Sequence, residues 1–477
     1  MKARIACDRC YELKERCARI STTIDCPRCE RLGLTCSTIR PVRPSGRRVQ
    51  RQVLKPSRAG QVLSTTSIPS QSSTAEHVDT LNVGSWLQDI PGIDSEEKEL
   101  LMSFLGKPEN LDCYVVSSSF QVQGQRSLAA PLPAAWPVLK DAYLACARSL
   151  KMLRTGSVAD DDQDIDLRQA SSAMMTLTSL PVATIEDATL CLTLGAVLAL
   201  FVYSAIGVGV ADICNYCLSI TRPFLDTTEP DNDTTSQQSF LALLEIMDCM
   251  VHRREPTLRI QVRNPESVDR HLGLCLPLLP YFHDLCTISS SQYSQRPRTA
   301  DDTTSYSIHI QKRVLAIHAA IETWQPSTAN NNLMTRFDTA EVIKLLTQAR
   351  VYRLAGLLVS HRLQYPFGQR DSQADIWSRE VLRELDLARS VTKQSIRCVT
   401  LPFVVAAIEI RDPSERVKAL GDVDEYVDHF TPVIRNATKM FLERVWCERD
   451  VGVTSRWFDS VCKPCVVLNS IDAACFG

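Results

Sequence analysis

None of the short fingerprints of catalytic or nucleotide-binding chemistry occurs in the 477 residues: there is no H-E-x-x-H, no G-x-S-x-G, no P-loop and no G-x-G-x-x-G. The eight histidines show no metal-ligand spacing, and Gly207-Val208-Gly209 follows a helical pattern, not a strand. Those absences point away from an enzyme. No secretory leader is visible, because the opening Met1-Lys2-Ala3-Arg4-Ile5-Ala6-Cys7 has no apolar core region. The 19 cysteines fall below the density of a disulfide scaffold. A reducing compartment is therefore expected, where clustered cysteines favour metal over disulfides. Strand-like alternation is scarce, fixed-period repeats are absent, and no a/d heptads run through 37–80. A zipper-type dimerisation element is thus not visible in that stretch.

One long charge-free run exists, the 24 residues from Ala188 to Ala211. Its length suits a membrane span. Its flanks, Asp187 and Asp212, are acidic, it carries Thr189, Thr193, Tyr203 and Ser204, and Gly207 and Gly209 interrupt its end. The expected structure is a buried core helix, with no membrane partner.

The net charge of −2 conceals an asymmetry: residues 1–58 hold 15 Lys/Arg against 5 Asp/Glu, and the remainder is acidic. A basic head on an acidic body suggests a polyanion-binding module joined to something else. The head also holds Cys7, Cys10, Cys17, Cys26, Cys29 and Cys36, spaced as two near-copies of C-x2-C-x6-C. A C-x2-C pair sets two thiolates about 2.3 Å from a shared zinc. Two zinc ions want eight contacts, which six thiolates supply only if two of them bridge. The symmetrical choice is Cys7 and Cys26. A stretch this short builds no apolar core, so metal binding has to provide its folding free energy.

The run Ala6-Cys7-Asp8-Arg9-Cys10-Tyr11-Glu12-Leu13-Lys14-Glu15-Arg16-Cys17, followed by Cys26-Pro27-Arg28-Cys29 and Cys36, resembles the fungal binuclear zinc cluster (Zn2Cys6) family of transcription factors. The resemblance implies two Zn²⁺ on the six cysteines and a short helix in the major groove, usually at CGG triplets. It implies that Lys14, four residues after the second cysteine, donates to guanine. Arg16 would contact backbone, and Arg9 occupies a position that is often basic. Two departures stand out: Tyr11 replaces an arginine common after the second cysteine, and Thr23-Ile24-Asp25 precedes the fourth cysteine where the family often has proline. Neither touches a metal ligand.

Arg40, Arg43, Arg47 and Arg48 belong to a basic, proline-interrupted tail. It suits a nuclear-import signal or a phosphate-contacting arm. Residues 60–78, rich in Ser, Thr and Gln, read as a disordered linker. Helical spacing then recurs at 137–153, 183–206, 238–251, 308–321, 339–362, 374–391, 401–410, 413–420 and 432–447, with loops expected at 156–165, 226–237 and 287–305. Asp94 and Asp412-Pro413 mark helix starts, and Phe441, Leu442, Val445 and Trp446 form one apolar face. Segments around Leu401–Glu409, Arg411–Arg416, Met440–Trp446 and Trp457–Asp459 resemble the helical regulatory domain of the same factors, the second fungal-specific type.

The expected organisation is a small irregular and helical zinc-cluster module at 1–40, a basic then Ser/Thr-rich linker at 41–82, and a large all-α domain at 83–477, long enough to form two lobes. The expected function is a nuclear, sequence-specific regulator of genes read by RNA polymerase II. Its partners would be double-stranded DNA and the transcription machinery. A monomer, or a homodimer formed through the helical body, is favoured over a zipper dimer. Family habit implies control of metabolic or secondary-metabolite genes. A zinc-dependent interaction or ligand-sensing helical protein without base readout remains the alternative.

Overall fold

The computed structural model describes residues 17, 26–31, 36, 83–88, 90–111, 114–155, 167–207, 209–225, 232–294, 300–326, 333–428, 430–452, 454 and 456–459. The chain divides into two compact units, Met1–Glu76 and His77–Gly477. Among its described residues the first unit forms one short helix, α1 (Pro27–Arg31).

The second unit is helical, and its only β-type pairing among the described residues is an isolated bridge between Asp269 and Gly273. Its order is α2 (Val83–Gln88), α3 (Ser95–Leu105), α4 (Gln121–Ala129), α5 (Leu132–Thr155), α6 (Leu167–Ser179), α7 (Ile185–Phe201), α8 (Val210–Leu225) and α9 (Asn232–His252). There follow α10 (Leu279–Ser294), α11 (Ala300–Thr323), α12 (Leu333–Arg336), α13 (Thr339–Gln364), α14 (Asp371–Thr392), α15 (Thr400–Ile408), α16 (Pro413–Tyr426) and α17 (Pro432–Asp450).

Local chemistry sets many of the boundaries. Asp94 accepts from the Glu97 amide at 2.8 Å, and the Glu97 carboxylate accepts in return from the Asp94 amide at 3.3 Å. This reciprocal box starts α3, and Thr184 with Asp187 and Asp338 with Glu341 repeat it at α7 and α13. Asp412 accepts from the amides of Ser414 and Glu415, with Pro413 in the first turn of α16.

The charge-free run becomes α7 continued by a π-helical turn, Val202–Ile206. Ile185–Ile206 is long and apolar enough to cross a membrane, yet 83% of its most apolar window is buried inside the body. Gly207 ends the turn at φ 78°, and a Cβ there would lie 2.8 Å from Val433 of α17. Both the left-handed backbone and the close approach therefore require glycine.

α13 is the second central element, buried along nearly its whole length. Near its end, fully buried Arg362 meets Glu409 through two bonds, Nε to Oε1 at 2.8 Å and Nη2 to Oε2 at 2.6 Å, and meets Asp371 through Nη1 at 2.8 Å. The cluster ties α13 to the end of α15 and the start of α14. It holds only as a set, because an unmatched buried charge costs several kcal/mol.

Three expectations are corrected. The loop expected at 226–237 gives way at Asn232 to α9, where Ser236 and Ser239 hydroxyls donate to buried Asp269. The loop expected at 287–305 is mostly helix, with α10 running to Ser294 and α11 starting at Ala300. The serine-rich end of α10 stays helical because Ile288 and Ser289 are buried against the core, and packing outweighs propensity. Finally, two lobes do not form among the described residues: one connected apolar core runs from Val83 to Phe458. Long helices buried on nearly every side, α7 and α13, let one core reach that size. Helix α6 was not expected, since its Ser/Thr-rich sequence hides a narrow stripe of Ala170, Ala173 and Leu177.

Candidate metal centre

In the first unit, Cys26 stands immediately before α1 and Cys29 lies on it. Pro27 suits the first turn, where no amide donor is needed, and the Glu30 amide bonds the Cys26 carbonyl at 3.0 Å. The turn so formed brings the sulfurs of Cys26, Cys29 and Cys36 within 4.8 Å of one another. Cys17 packs against the same group. Cys26 and Cys29 are fully buried, while Cys17 and Cys36 are partly exposed.

Two backbone amides point at sulfur: Cys29 N–H at Cys26 Sγ and Cys26 N–H at Cys36 Sγ, each at 3.4 Å. Donors aimed at sulfur favour the thiolate, which is the metal-binding form. Sulfurs at 2.3 Å from a tetrahedral zinc lie about 3.8 Å apart, and the observed spread accommodates that. A disulfide would instead bring two sulfurs to about 2.05 Å and leave the third aside. The donor set therefore fits a thiolate-bound metal, held by Cys26, Cys29 and Cys36 with Cys17 adjacent.

The structure thus brings together four of the six cysteines singled out from the spacing. Cys7, Cys10, Arg9, Lys14, Arg16, Arg40, Arg43, Arg47 and Arg48 lie outside the described residues.

The first C-x2-C of the body behaves differently. Cys214 and Cys217, on α8, are fully buried in the apolar seam with α7, where Gly195 makes room: a Cβ there would lie 2.3 Å from Cys217 Sγ. Burial pushes the Cys214 thiol well above its ordinary range. This is a packing role, as expected for buried cysteine. Cys462 and Cys465 lie outside the described residues. Sequence reading missed the buried Arg362–Glu409 pair and a tryptophan-lined cleft in the body. Their members stand tens of residues apart and carry no local signal.

The family comparison covers most of the body. Residues 167–470 match the model of the fungal specific transcription factor domain. The chain belongs to this family. The match spans α6 to α17 and includes the segments around Leu401, Arg411, Met440 and Trp457. α2 to α5 precede the match, although they pack into the same core. Neither the curated proteins nor the solved structures contain a match. Membership supports a transcription regulator and implies a non-enzymatic one.

Proposed function

We propose that the protein is a nuclear, sequence-specific DNA-binding transcription regulator whose N-terminal cysteines hold two zinc ions. The observation that carries this reading is the convergence of the Cys26, Cys29 and Cys36 sulfurs beside Cys17, in a chain whose body belongs to a transcription factor family. Cys7, Cys10, Cys17, Cys26, Cys29 and Cys36 would hold the metal, with Cys7 and Cys26 bridging. Zinc supplies the folding free energy that so short a segment lacks. Lys14 would read guanine in a CGG-like triplet, and Arg9 and Arg16 would contact phosphate. Arg40, Arg43, Arg47 and Arg48 would add affinity without sequence information. The +10 balance of residues 1–58 supports this division of labour.

Selection from randomised DNA with the full chain tests it. Wild type is expected to enrich CGG-containing sites. Lys14→Ala should cost about 1–3 kcal/mol at the enriched site and far less on random DNA. Deleting 40–58 should flatten the log–log salt slope by about 0.9 for each phosphate no longer neutralised, and leave the preference in place. No CGG enrichment by wild type, or unchanged selection by Lys14→Ala, overturns the assignment.

A further inference from the structure

The body contains a cleft of about 450 Å3 between the end of α11, the middle of α13 and the start of α14. Nothing in the DNA-binding reading uses it. Its position is specific: beyond its first turn, α13 is exposed only at Leu346 and Arg350, and both line the cleft. The volume falls within the range of small-molecule sites, about 300–1,000 Å3.

Two indoles face this space. Trp324 stands one residue past α11, and Trp377 lies on the second turn of α14. Trp377 is held by His318 and His361, whose ring centroids lie 5.7 and 5.6 Å from its own. His318 Nδ1 is in turn 2.8 Å from Ser360 Oγ. Buried Leu354 and Leu357 add apolar wall beside the indoles.

The charges around the lining are unequal. Arg350 bonds Glu380 and Glu384, so its charge is matched. Arg353 donates Nε to the Ile321 carbonyl at 3.1 Å and Nη2 to the Glu322 carbonyl, both at the end of α11. It has no carboxylate partner among the described residues. The Glu322 side chain sits exposed at the rim. A guanidinium without a carboxylate, beside two indoles, suits an anionic group attached to a flat apolar one. With Arg350 matched by Glu380 and Glu384, Arg353 is the guanidinium that disfavours a cation at its end of the cleft, and the indoles and leucines give a bare inorganic anion nothing to cover.

We propose that this cleft binds a small planar aromatic carboxylate, with its ring against Trp324 and Trp377 and its carboxylate at Arg353. A ligand there touches α11, α13 and α14 at once, where the central helix of the body is least covered.

Isothermal titration calorimetry of the full chain tests the proposal with 2-naphthoate, 2-naphthamide and 2-naphthylmethylamine. The acid is expected to bind about tenfold more tightly than the amide or the amine, a gap of roughly 1.4 kcal/mol. Arg353→Met should erase the preference for the acid. Because Arg353 also holds the end of α11, Leu346→Trp provides a second variant. It fills the cleft from a partly exposed position, leaves the hydrogen bonds of Arg353 in place, and should abolish binding with an unchanged helical spectrum. The proposal is overturned if no naphthalene binds at about 1 mM, if all three bind equally, if Arg353→Met keeps the preference, or if Leu346→Trp binds as wild type does. The titration uses no DNA, so its failure and that of the DNA-binding reading are separate results.

Discussion

Cys26 and Cys214 are both fully buried, yet their surroundings favour opposite chemistries. Cys26 lies among converging sulfurs in a basic segment, and an amide donor points at its Sγ. Cys214 lies against the α7 seam, where burial, then the nearby Glu245 and Asp248, hold its thiol well above the usual range. The first setting stabilises a thiolate and the second a neutral thiol. The same contrast separates the two units. One has donors for a metal and too few apolar residues for a core, and the other folds around aliphatic and aromatic side chains. Cysteine spacing carries metal chemistry only where the surrounding chain cannot bury the thiols in an apolar core.

The sharpest way to break this contrast is to remove the metal. Elemental analysis of the reduced chain is expected to give two zinc ions. A strong chelator at neutral pH should then withdraw on the order of 10 kcal/mol of folding free energy from the N-terminal unit alone. The preference for specific DNA sites should vanish, leaving only salt-sensitive binding by the basic arm, while the helical spectrum and cooperative unfolding of the body persist. A body that melts when the metal leaves would refute the separation.

The complementary test strikes the body. Arg362→Met leaves buried Glu409 unmatched and should destabilise the body by about 3–5 kcal/mol, read from urea unfolding, with zinc content unchanged. Replacing both partners, Arg362→Met with Glu409→Leu, should recover most of that loss. A double variant as unstable as the single one would show that shape rather than charge decides the site.

Acid should separate the units further. Burial holds His271 down to about 4, against the opposing pull of Asp269 and with Arg270 adding to the depression. An unfolded histidine titrates near 6.5. The folded state thus refuses a proton that the unfolded chain accepts. This part of the stability is whole above pH ~6.5 and drains away as pH falls towards 4, by about 3 kcal/mol. His271→Asn should shrink the difference in unfolding free energy between pH 7 and pH 4.5. An unchanged difference would place the proton uptake elsewhere. The smallest effect expected is Asp338→Ala, which removes the cap of α13 and should cost about 0.5–2 kcal/mol, measured as a lower thermal midpoint.

Some of this was legible in the residues and some was not. The starts of α3 and α16 followed from Asp94 and Asp412, because a cap bonds an amide only two or three residues away. The face of Phe441, Leu442, Val445 and Trp446 followed from helical period alone, and all four are buried. The helical character of 287–294 and 232–237 was hidden, because Ser, Thr and Gln favour loops until a neighbouring element covers them. Nothing local distinguished Trp324 from any other tryptophan, or marked Arg362 as the partner of Glu409.

By itself, the sequence determined the chemistry that acts over a few residues: the cysteine spacing, the helix caps, the period of the apolar stripes and the sign of the charge in the first 58 residues. Only the tertiary structure decided that one core serves the whole body, and that two indoles line one cleft beside the exposed residues of α13. The physical reason is range. Hydrogen-bond capping and metal-ligand spacing act between near neighbours along the chain. Burial, buried-charge matching and clefts depend on which distant segments come to lie side by side.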